Sequence, residues 1–506
     1  MNIDTSNLTR KTAFVMGYNI FAAIFGYITL FFVMRLIGTT AWGILGAATG
    51  LVGILTIFAD FGLSGTHVKK ISEGEYLEEK LGTYAALKLL YGCIFVLFSF
   101  LIIFVISHLL GFKFENRYLE MATYIIILYF FLVSLATIFK TTLRAHMLTT
   151  KAIMPDFVRV SVQNIILIGS SVWWVYHQEV PKEWIGVLYA YGYLISVFAQ
   201  ILVLFFYVKD FKFKRPSLKI AKEYVLFSLP LGFFGIVGLI QSYTDRAMLQ
   251  FFWSYDEVGA YFGVQKIVMF VMTFAVAINF VLYPAQSYHF SWKDRERFVN
   301  VTKSAERYIS LLILPLIGFG IVFAPEILNI WNARLVSYAL TMRILLLYAF
   351  LYVLNSPYAS QLVSAGLPKE NLKAGFAQAG ANVVLNAIFI PTSILGISLL
   401  GLKSVGAALA TFISYFVGFT FTRYKVYKRL GVTFNTRVLI HIMAIIVSSL
   451  IMFLINSYVY NFVRFYELGV AFIIMVSIYG SILIGIKELK ISEIKEIAKK
   501  FLPGLF

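Results

Sequence analysis

The sequence predicts an all-α integral membrane protein with about fourteen transmembrane helices. Of its 506 residues, 60% are hydrophobic and only 13% are charged, which does not suit a surface that faces water. The apolar residues form runs of about 20, the length of a helix that crosses the hydrocarbon core of a bilayer. Helices satisfy their own backbone groups in that core, and the alternating short strands of a β-barrel are not seen in the sequence.

The gaps between these runs are short, so consecutive helices are expected to be antiparallel neighbours. The predicted helices lie near residues 12–37, 41–66, 82–107, 119–143, 157–177, 184–208, 223–244, 258–284, 307–331, 338–364, 371–394, 402–424, 436–458 and 463–486.

A basic stretch from Lys209 to Lys222 separates the first six predicted helices from the others. We therefore expect a six-helix lobe with this basic linker over residues 1–222 and a second six-helix lobe over 223–430. Residues 431–506 then hold two extra transmembrane helices and a cytoplasmic tail.

The formal net charge of +18 is explained by topology. Lys and Arg cluster in alternate gaps between apolar runs, which is the positive-inside pattern of cytoplasmic loops, so a nucleic-acid partner is not needed. We expect a multi-pass protein of the cell (inner) membrane with both termini cytoplasmic. The tail from Lys487 to Lys500 places Ile491, Ile494 and Ile497 at helical spacing, as in an interfacial amphipathic helix, although a solvated charged tail fits equally well.

Several chemistries have no support in the sequence. Cys93 is the only cysteine, which excludes an internal disulfide. The six histidines lack metal-ligand spacing, so neither a metal nor another cofactor is expected. No glycine-rich phosphate loop precedes a lysine, and ATP is therefore not expected to drive the protein directly.

Short motifs recur along the chain in an order typical of one family. They are Arg35-Leu36-Ile37-Gly38 with Gly43, Asp60-Phe61-Gly62-Leu63-Ser64, Ser228-Leu229-Pro230, Asp245-Arg246-Ala247-Met248-Leu249, Val258-Gly259-Ala260-Tyr261 and Ala324-Pro325-Glu326-Ile327-Leu328. In this order and with this helix count, the chain resembles the polysaccharide biosynthesis flippases. These are O-antigen-type transporters of the multidrug/oligosaccharidyl-lipid/polysaccharide (MOP) exporter superfamily.

The resemblance implies two six-helix lobes in a MATE-like arrangement around a central cavity, with alternating access. It implies movement of an oligosaccharide linked to undecaprenyl or dolichyl pyrophosphate from the cytoplasmic to the outer leaflet. The expected partners are that glycolipid and the bilayer, whereas the sequence leaves open whether a coupling cation and polysaccharide-assembly proteins also take part. The family has no ligand signature that transfers position by position, so candidate residues must be argued individually.

Lys266 is the leading candidate for a substrate-binding residue. It lies about eight residues into the predicted eighth helix, roughly 12 Å along it and near the midplane. An ammonium there costs about 2.5–3.5 kcal/mol, so it should face a cavity or a partner. Gln265 and Asn279 on the same helix add hydrogen-bonding groups to a cationic site for a pyrophosphate or acidic sugar. Lys266 could instead snorkel outward or pair structurally with Asp245 or Glu257.

A polar stripe on the predicted eleventh helix is a second candidate. Gln378, Asn382 and Asn386 recur every four residues and therefore share one face of the helix. The stripe could bind sugar hydroxyls along the transport path. Amides in this pattern also hold membrane helices together, and the sequence does not separate the two roles.

Four arginines gather toward the outer ends of the predicted helices, namely Arg35, Arg246, Arg334 and Arg343. A guanidinium fork fits phosphate oxygens, so these residues could receive the phosphate as it leaves the cavity. Anchoring the helix at the interface is the more common role for any one of them.

Two carboxylates are candidates for binding a coupling cation. Asp60 lies near the predicted inner end of the second helix, and Glu326 lies near the outer end of the ninth. A hydrated or paired carboxylate is the ordinary state of such a residue at a helix end. On the cytoplasmic side, the gap between the fourth and fifth predicted helices offers candidates for an entry site for the lipid pyrophosphate, namely Arg144, His146, Asp156 and Arg159. Ordinary positive-inside topology accounts for most of them.

The alternative function is a MATE-type, cation-coupled multidrug exporter of the same broad fold. Such an exporter would place a carboxylate deep in its cavity, whereas the predicted helices place a lysine there, which favours an anionic substrate. An enzyme acting on the same glycolipid would need a substantial loop outside the membrane. The loops are short, so the protein is expected not to be an enzyme.

Overall fold

The structure, a computed structural model, describes residues 5–74, 76–108 and 113–490. It does not describe the side chains of residues 5–13, 107–108, 276–277 and 280–281. The predicted amphipathic helix of the tail depends on Ile491, Ile494 and Ile497 and lies outside the described residues.

Helices make up nearly all of the described chain. They are α1 (Thr5–Leu36), α2 (Thr39–Gly53), α3 (Ile57–Asp60), α4 (Leu63–Ser72), α5 (Leu77–His108), α6 (Arg117–Ala145), α7 (Thr149–Tyr176), α8 (Lys182–Val208), α9 (Leu218–Phe252), α10 (Tyr255–Ser291), α11 (Arg295–Val322), α12 (Ala324–Trp331), α13 (Ala339–Ser364), α14 (Pro368–Phe389), α15 (Lys403–Leu430), α16 (Arg437–Leu454) and α17 (Phe465–Gly485). A two-residue antiparallel hairpin, β1 (Ser393–Ile394) and β2 (Ile397–Ser398), joins α14 to α15.

The predicted all-α membrane fold is confirmed. Thirteen helical segments of the described residues are long and apolar enough to cross a bilayer. The helix at the eleventh predicted position, α14, is present but is not among these thirteen. Its polar stripe, Gln378, Asn382 and Asn386, lowers its hydropathy.

Two predicted helices are broken in the structure. The second predicted helix consists of α2, a 3₁₀ turn, α3 and α4, and it continues to Ser72 rather than ending near residue 66. The ninth predicted helix begins earlier, at Arg295, and divides at Phe323 into α11 and α12. Pro325 lies in the first turn of α12, where its missing N–H costs nothing.

Contacts divide the chain into two compact units. The first unit comprises Met1–Gly263 with Asn386–Ala407, and the second comprises Val264–Leu385 with Ala408–Phe506. These bounds differ from residues 1–222 and 223–430, and the predicted lobe boundaries stay a prediction.

In the first unit, α2 and α10 touch through glycine. A Cβ on Gly43 would lie 1.9 Å from the carbonyl oxygen of Tyr255, and one on Gly259 would lie 2.1 Å from that of Thr39. Next to this crossing, the Trp42 ring of α2 stacks on an aromatic ring of α10 at a centroid distance of 5.1 Å. The two glycine-containing motifs therefore mark a single helix–helix contact, which requires residues without side chains.

The basic linker of the first unit packs against the start of α5. The backbone N–H of Lys214 donates to the carbonyl of Glu78 at 3.1 Å, and that of Ser217 donates to the Thr83 hydroxyl at 3.0 Å. The Lys214 ammonium lies 2.8 Å from the Glu78 carboxylate. This hydrogen bond raises the pKa of Lys214 above its ordinary value. The linker is therefore attached to the start of α5 at Lys214 and Ser217.

In the second unit, the last two helices pack on α11. Buried apolar residues of α11, α16 and α17 form one core cluster, which includes Leu314, Ala444 and Met475. At one edge of the cluster, Arg307 Nε donates to Glu488 Oε1 at 2.7 Å. The two helices that were predicted as additions to the lobe are thus part of the core of this unit.

Candidate functional site

The break between α3 and α4 in the first unit exposes backbone groups inside a membrane span. Phe61 has φ 31° and Gly62 has φ 80°, both in the left-handed region. A Cβ on Gly62 would lie 2.5 Å from the carbonyl oxygen of Ser228 on α9. Both the backbone angle and the close approach of α9 therefore require glycine here.

Asp60 and Lys88 form an ion pair at this break. Lys88 Nζ, from α5, lies 2.8 Å from Asp60 Oδ1 and 3.1 Å from the carbonyl oxygen of Ala59. The same Asp60 oxygen accepts hydrogen bonds from the Ser64 hydroxyl at 2.6 Å and the Ser64 backbone N–H at 3.2 Å. Asp60 is the last residue of α3, and α4 continues the span to Ser72, so Asp60 lies farther from the end of the span than the predicted end near residue 66 implies. A role of Asp60 in cation coupling stays a prediction.

A cavity of about 350 Å³ opens at this ion pair. Its walls come from α3, α4, α5, α6 and α9, all within the first unit. Its polar lining residues are Thr56, Asp60, Ser64, Lys88, Ser134 and Thr137. The Asp60 side chain is 41% exposed, whereas that of Lys88 is 1% exposed. The carboxylate therefore faces the cavity, and the ammonium is enclosed.

Sequence reasoning missed Lys88, although a signal was present. Lys88 interrupts an apolar run in the third predicted helix, and an intramembrane lysine was the feature that singled out Lys266. The partner of Lys88 could not be read from the sequence, because Asp60 is 28 residues away and the helix break that exposes it has no proline.

The polar stripe of α14 is buried against neighbouring helices. In the first unit, Asn386 Nδ2 donates to Asp245 Oδ1 at 2.7 Å, and the Tyr261 hydroxyl donates to Asp245 Oδ2 at 2.5 Å. In the second unit, Asn382 Nδ2 lies 3.5 Å from the Thr411 hydroxyl, and Gln378 is also buried. A role of the stripe in sugar binding stays a prediction.

Arg246 is buried in the first unit. Its Nη1 donates to the Thr49 hydroxyl at 3.2 Å, and its Nη2 donates to the Ser242 carbonyl at 2.8 Å. Its guanidinium carbon also lies 4.3 Å from the centroid of the Phe262 ring. These contacts join α9 to α2 and α10. Arg35, in contrast, is exposed in the last turn of α1.

Lys266 lies on α10 together with Gln265 and Asn279. All three side chains are half-buried. Because α10 begins at Tyr255, Lys266 is deeper along its helix than a start at residue 258 implies. Lys266 was selected because an ammonium within an apolar membrane helix is costly, and it does lie on a long, apolar helix. Its role in substrate binding stays a prediction.

The outer-end candidates of the second unit contact other helices. Arg343 Nε donates to the carbonyl of Ile321 at 2.9 Å, which satisfies one of the last carbonyls of α11. Glu326 accepts a hydrogen bond from Asn456 Nδ2 at 3.2 Å. Arg334 is exposed. Phosphate binding and cation coupling by these residues stay predictions.

The cytoplasmic candidates of the first unit lie among α6, α7 and α8. Lys140 Nζ lies 2.6 Å from Asp156 Oδ2, and Gln200 Nε2 donates to Asp156 Oδ1 at 2.6 Å. Arg159 Nη1 lies 3.3 Å from the Tyr129 hydroxyl. Asp156 thus connects three helices, and sequence reasoning did not include Lys140 or Gln200.

The second unit contains a sealed ion pair. Glu306 on α11 contacts Arg423 on α15 and accepts a hydrogen bond from the Tyr358 hydroxyl at 2.6 Å. The Arg423 guanidinium carbon lies 3.5 Å from the centroid of the Tyr358 ring. Glu306 is fully buried, and Arg423 is 14% exposed.

This arrangement of helices is the fold of solved transporters of the MOP superfamily. The structure of lipid II flippase MurJ in an inward closed conformation aligns with a TM-score of 0.75 and 17% identity, over 94% of this chain and 99% of that chain. An inward-facing multidrug resistance MATE family transporter aligns with a TM-score of 0.58 and 16% identity, over 80% of this chain and 95% of that one.

Residues 8–289 match the family described as polysaccharide biosynthesis protein, and the chain belongs to that family. The resemblance predicted from the motifs is thereby confirmed. A probable low-salt glycan biosynthesis flippase, Agl15 of Haloferax volcanii, is 26% identical over 81% of this chain and 82% of its own length. An uncharacterised membrane protein of Methanocaldococcus jannaschii is 24% identical over 91% of this chain and 92% of its own length.

Proposed function

We propose that the protein is a flippase that moves a polyprenyl-pyrophosphate-linked oligosaccharide from the cytoplasmic to the outer leaflet for surface glycan biosynthesis. The observation that carries this proposal is the family membership, together with a relative named as a glycan biosynthesis flippase that aligns over most of both chains. The fold shared with a lipid II flippase supports it. The protein then acts as a transporter, by alternating access, in an inner membrane with both termini cytoplasmic.

At the residue level, the proposal assigns the anionic pyrophosphate to Lys266. A lysine in the middle of a membrane helix is costly unless it serves a cavity or a partner. Gln265 and Asn279 would hydrogen-bond the glycolipid from the same helix. Arg35, Arg246 and Arg343 are further proposed phosphate contacts, and Gln378, Asn382 and Asn386 are proposed sugar contacts.

The test is translocation of a fluorescent polyprenyl-pyrophosphate oligosaccharide in proteoliposomes, scored by its accessibility to an impermeant reagent. Lys266→Ala should abolish translocation while the folded protein remains in the membrane. Lys369→Ala is the matched control, because Lys369 is exposed at the start of α14 and should tolerate the change.

Transport by Lys266→Ala at the wild-type rate would remove the residue-level assignment and leave the flippase class intact. If the wild-type protein does not translocate the glycolipid and instead exports an organic cation in a process driven by an ion gradient, the function is that of a multidrug exporter.

A further inference from the structure

The break in the second span has the chemistry of a monovalent cation site. The carbonyl oxygen of Ala59 and the carboxylate of Asp60 lie together at the C-terminal end of α3, where the helix dipole is negative. Unwound carbonyls and half-helix C-terminal ends are the groups that coordinate alkali cations in membrane transporters. The hydroxyls of Ser64 and Ser134 complete an oxygen-rich surface, since each bonds to one of these two groups.

This surface already holds a positive charge. Lys88 Nζ lies 2.8 Å from the Asp60 carboxylate and 3.1 Å from the Ala59 carbonyl. A bound metal ion would contact the same two oxygens. The ammonium is almost fully enclosed, so solvent does not compete for it. Lys88 is supplied by α5, a different helix from the one that is broken.

We propose that the Lys88 ammonium occupies a position at this break where a monovalent metal ion would otherwise bind. The ammonium holds α3 and α4 in their observed geometry, and it excludes free metal ions by like-charge repulsion. Asp60 is consequently not the residue through which the native protein takes up a coupling cation. The proposal concerns the break alone and does not depend on what the protein transports.

The cavity provides the route by which a free ion could replace the ammonium. It is about 350 Å³ in volume and is lined by both Asp60 and Lys88. A neutral residue at position 88 would leave the Asp60 carboxylate with the Ser64 hydroxyl and backbone N–H as its remaining observed partners. A small cation could then enter from the cavity and restore charge balance.

Lys80 provides a matched control on the same helix. Its ammonium also binds one carbonyl, that of Lys70 at 2.8 Å, and one carboxylate, that of Glu73 at 3.4 Å. Burial acts to raise the pKa of Glu73, but Lys70 and Lys80 outweigh it and hold this pKa below its ordinary value. Glu73 thus keeps a second lysine when Lys80 is neutralised, and it lies outside the membrane span.

The experiment measures the thermal unfolding midpoint of the purified full-length protein in NaCl, KCl, LiCl and choline chloride at equal ionic strength. The variants are Lys88→Met, Lys80→Met, Asp60→Asn and Asp60→Asn/Lys88→Met. For Lys88→Met we expect a lower midpoint than wild type in choline and a saturable recovery with one or more of the metal cations. Wild type, Lys80→Met and the double variant should show no cation-specific shift.

Two outcomes would overturn the proposal. One is a cation-specific, saturable shift in the wild type that Asp60→Asn abolishes, because the native site would then bind a free ion. The other is a Lys88→Met protein whose midpoint is the same in all four salts. If Lys88→Met does not fold, Lys88→Gln serves in the same comparison, because its amide can still donate to the Ala59 carbonyl.

Discussion

The two units each contain an acid paired with a base within a helix span, and the two pairs differ in what surrounds them. In the first unit, the Asp60 carboxylate is 41% exposed to a cavity and sits at a helix break. In the second, Glu306 is fully buried and sits within a continuous helix, with Arg423 packed on the Tyr358 ring. A sealed pair can only hold helices together, whereas a pair at a cavity can also exchange with solvent or ligand.

The difference follows from local backbone structure. The break after Asp60 interrupts the helix at Phe61 and Gly62, and the Ala59 carbonyl and the Asp60 carboxylate lie at this interruption. Around Glu306, α11 is unbroken, so the charge must be compensated entirely by side chains from other helices. The loss of one partner should therefore cost more in the second unit than in the first.

The largest expected effect is that of Glu306→Ala. Removing the acid leaves the Arg423 guanidinium buried without its counter-charge, which should lower the free energy of unfolding by about 3–5 kcal/mol. Unfolding by SDS titration in mixed micelles measures this change. Glu306→Met/Arg423→Met should recover most of the loss, because no unpaired charge remains. If the double variant is as unstable as the single one, the loss does not come from an unpaired Arg423 charge.

Asp60→Asn should have an intermediate effect. The amide oxygen can still accept the Ser64 hydrogen bonds, and the Lys88 ammonium keeps the Ala59 carbonyl as an acceptor, so we expect a loss of about 1–3 kcal/mol in the same SDS titration. A loss as large as that for Glu306→Ala would show that the backbone carbonyl does not moderate the cost of removing the carboxylate in the first unit.

The smallest effect is expected at the surface pair of the linker. The side chains of Lys214 and Glu78 are 62% and 40% exposed, and water and salt screen such pairs. Lys214→Ala should leave the SDS titration unchanged, because the backbone hydrogen bonds of the linker remain. A clear destabilisation would mean that the ammonium, rather than the backbone, attaches the linker to α5.

In the structure, glycines of the family motifs lie at close contacts between helices. Gly62 approaches the Ser228 carbonyl, and Gly43 approaches Tyr255 and Gly259. In both cases a residue of one motif contacts a segment that contains another motif. The sequence showed these glycines as isolated similarities, because residues far apart in sequence give no sign of which backbones will touch.

The candidate site was predictable in part. The cost of burying a charge in hydrocarbon identified Lys266 and applies equally to Lys88. The same reasoning could not identify Asp60 as the partner of Lys88, nor Tyr358 and Arg423 as partners of Glu306, because each pairing joins different helices. Spacing along α14 predicted one shared face, but only packing showed that Asn386 donates to a buried aspartate.

By itself, the sequence determined the all-α membrane fold, the position of nearly every helix and the family, because hydrocarbon forces each apolar run of about 20 residues to satisfy its own backbone. These are local constraints. Only the tertiary structure decided where the second span breaks and which charges neutralise one another. A break with a non-glycine residue at φ 31° is stable only when other helices supply its missing hydrogen bonds and counter-charge, as α5 does with Lys88.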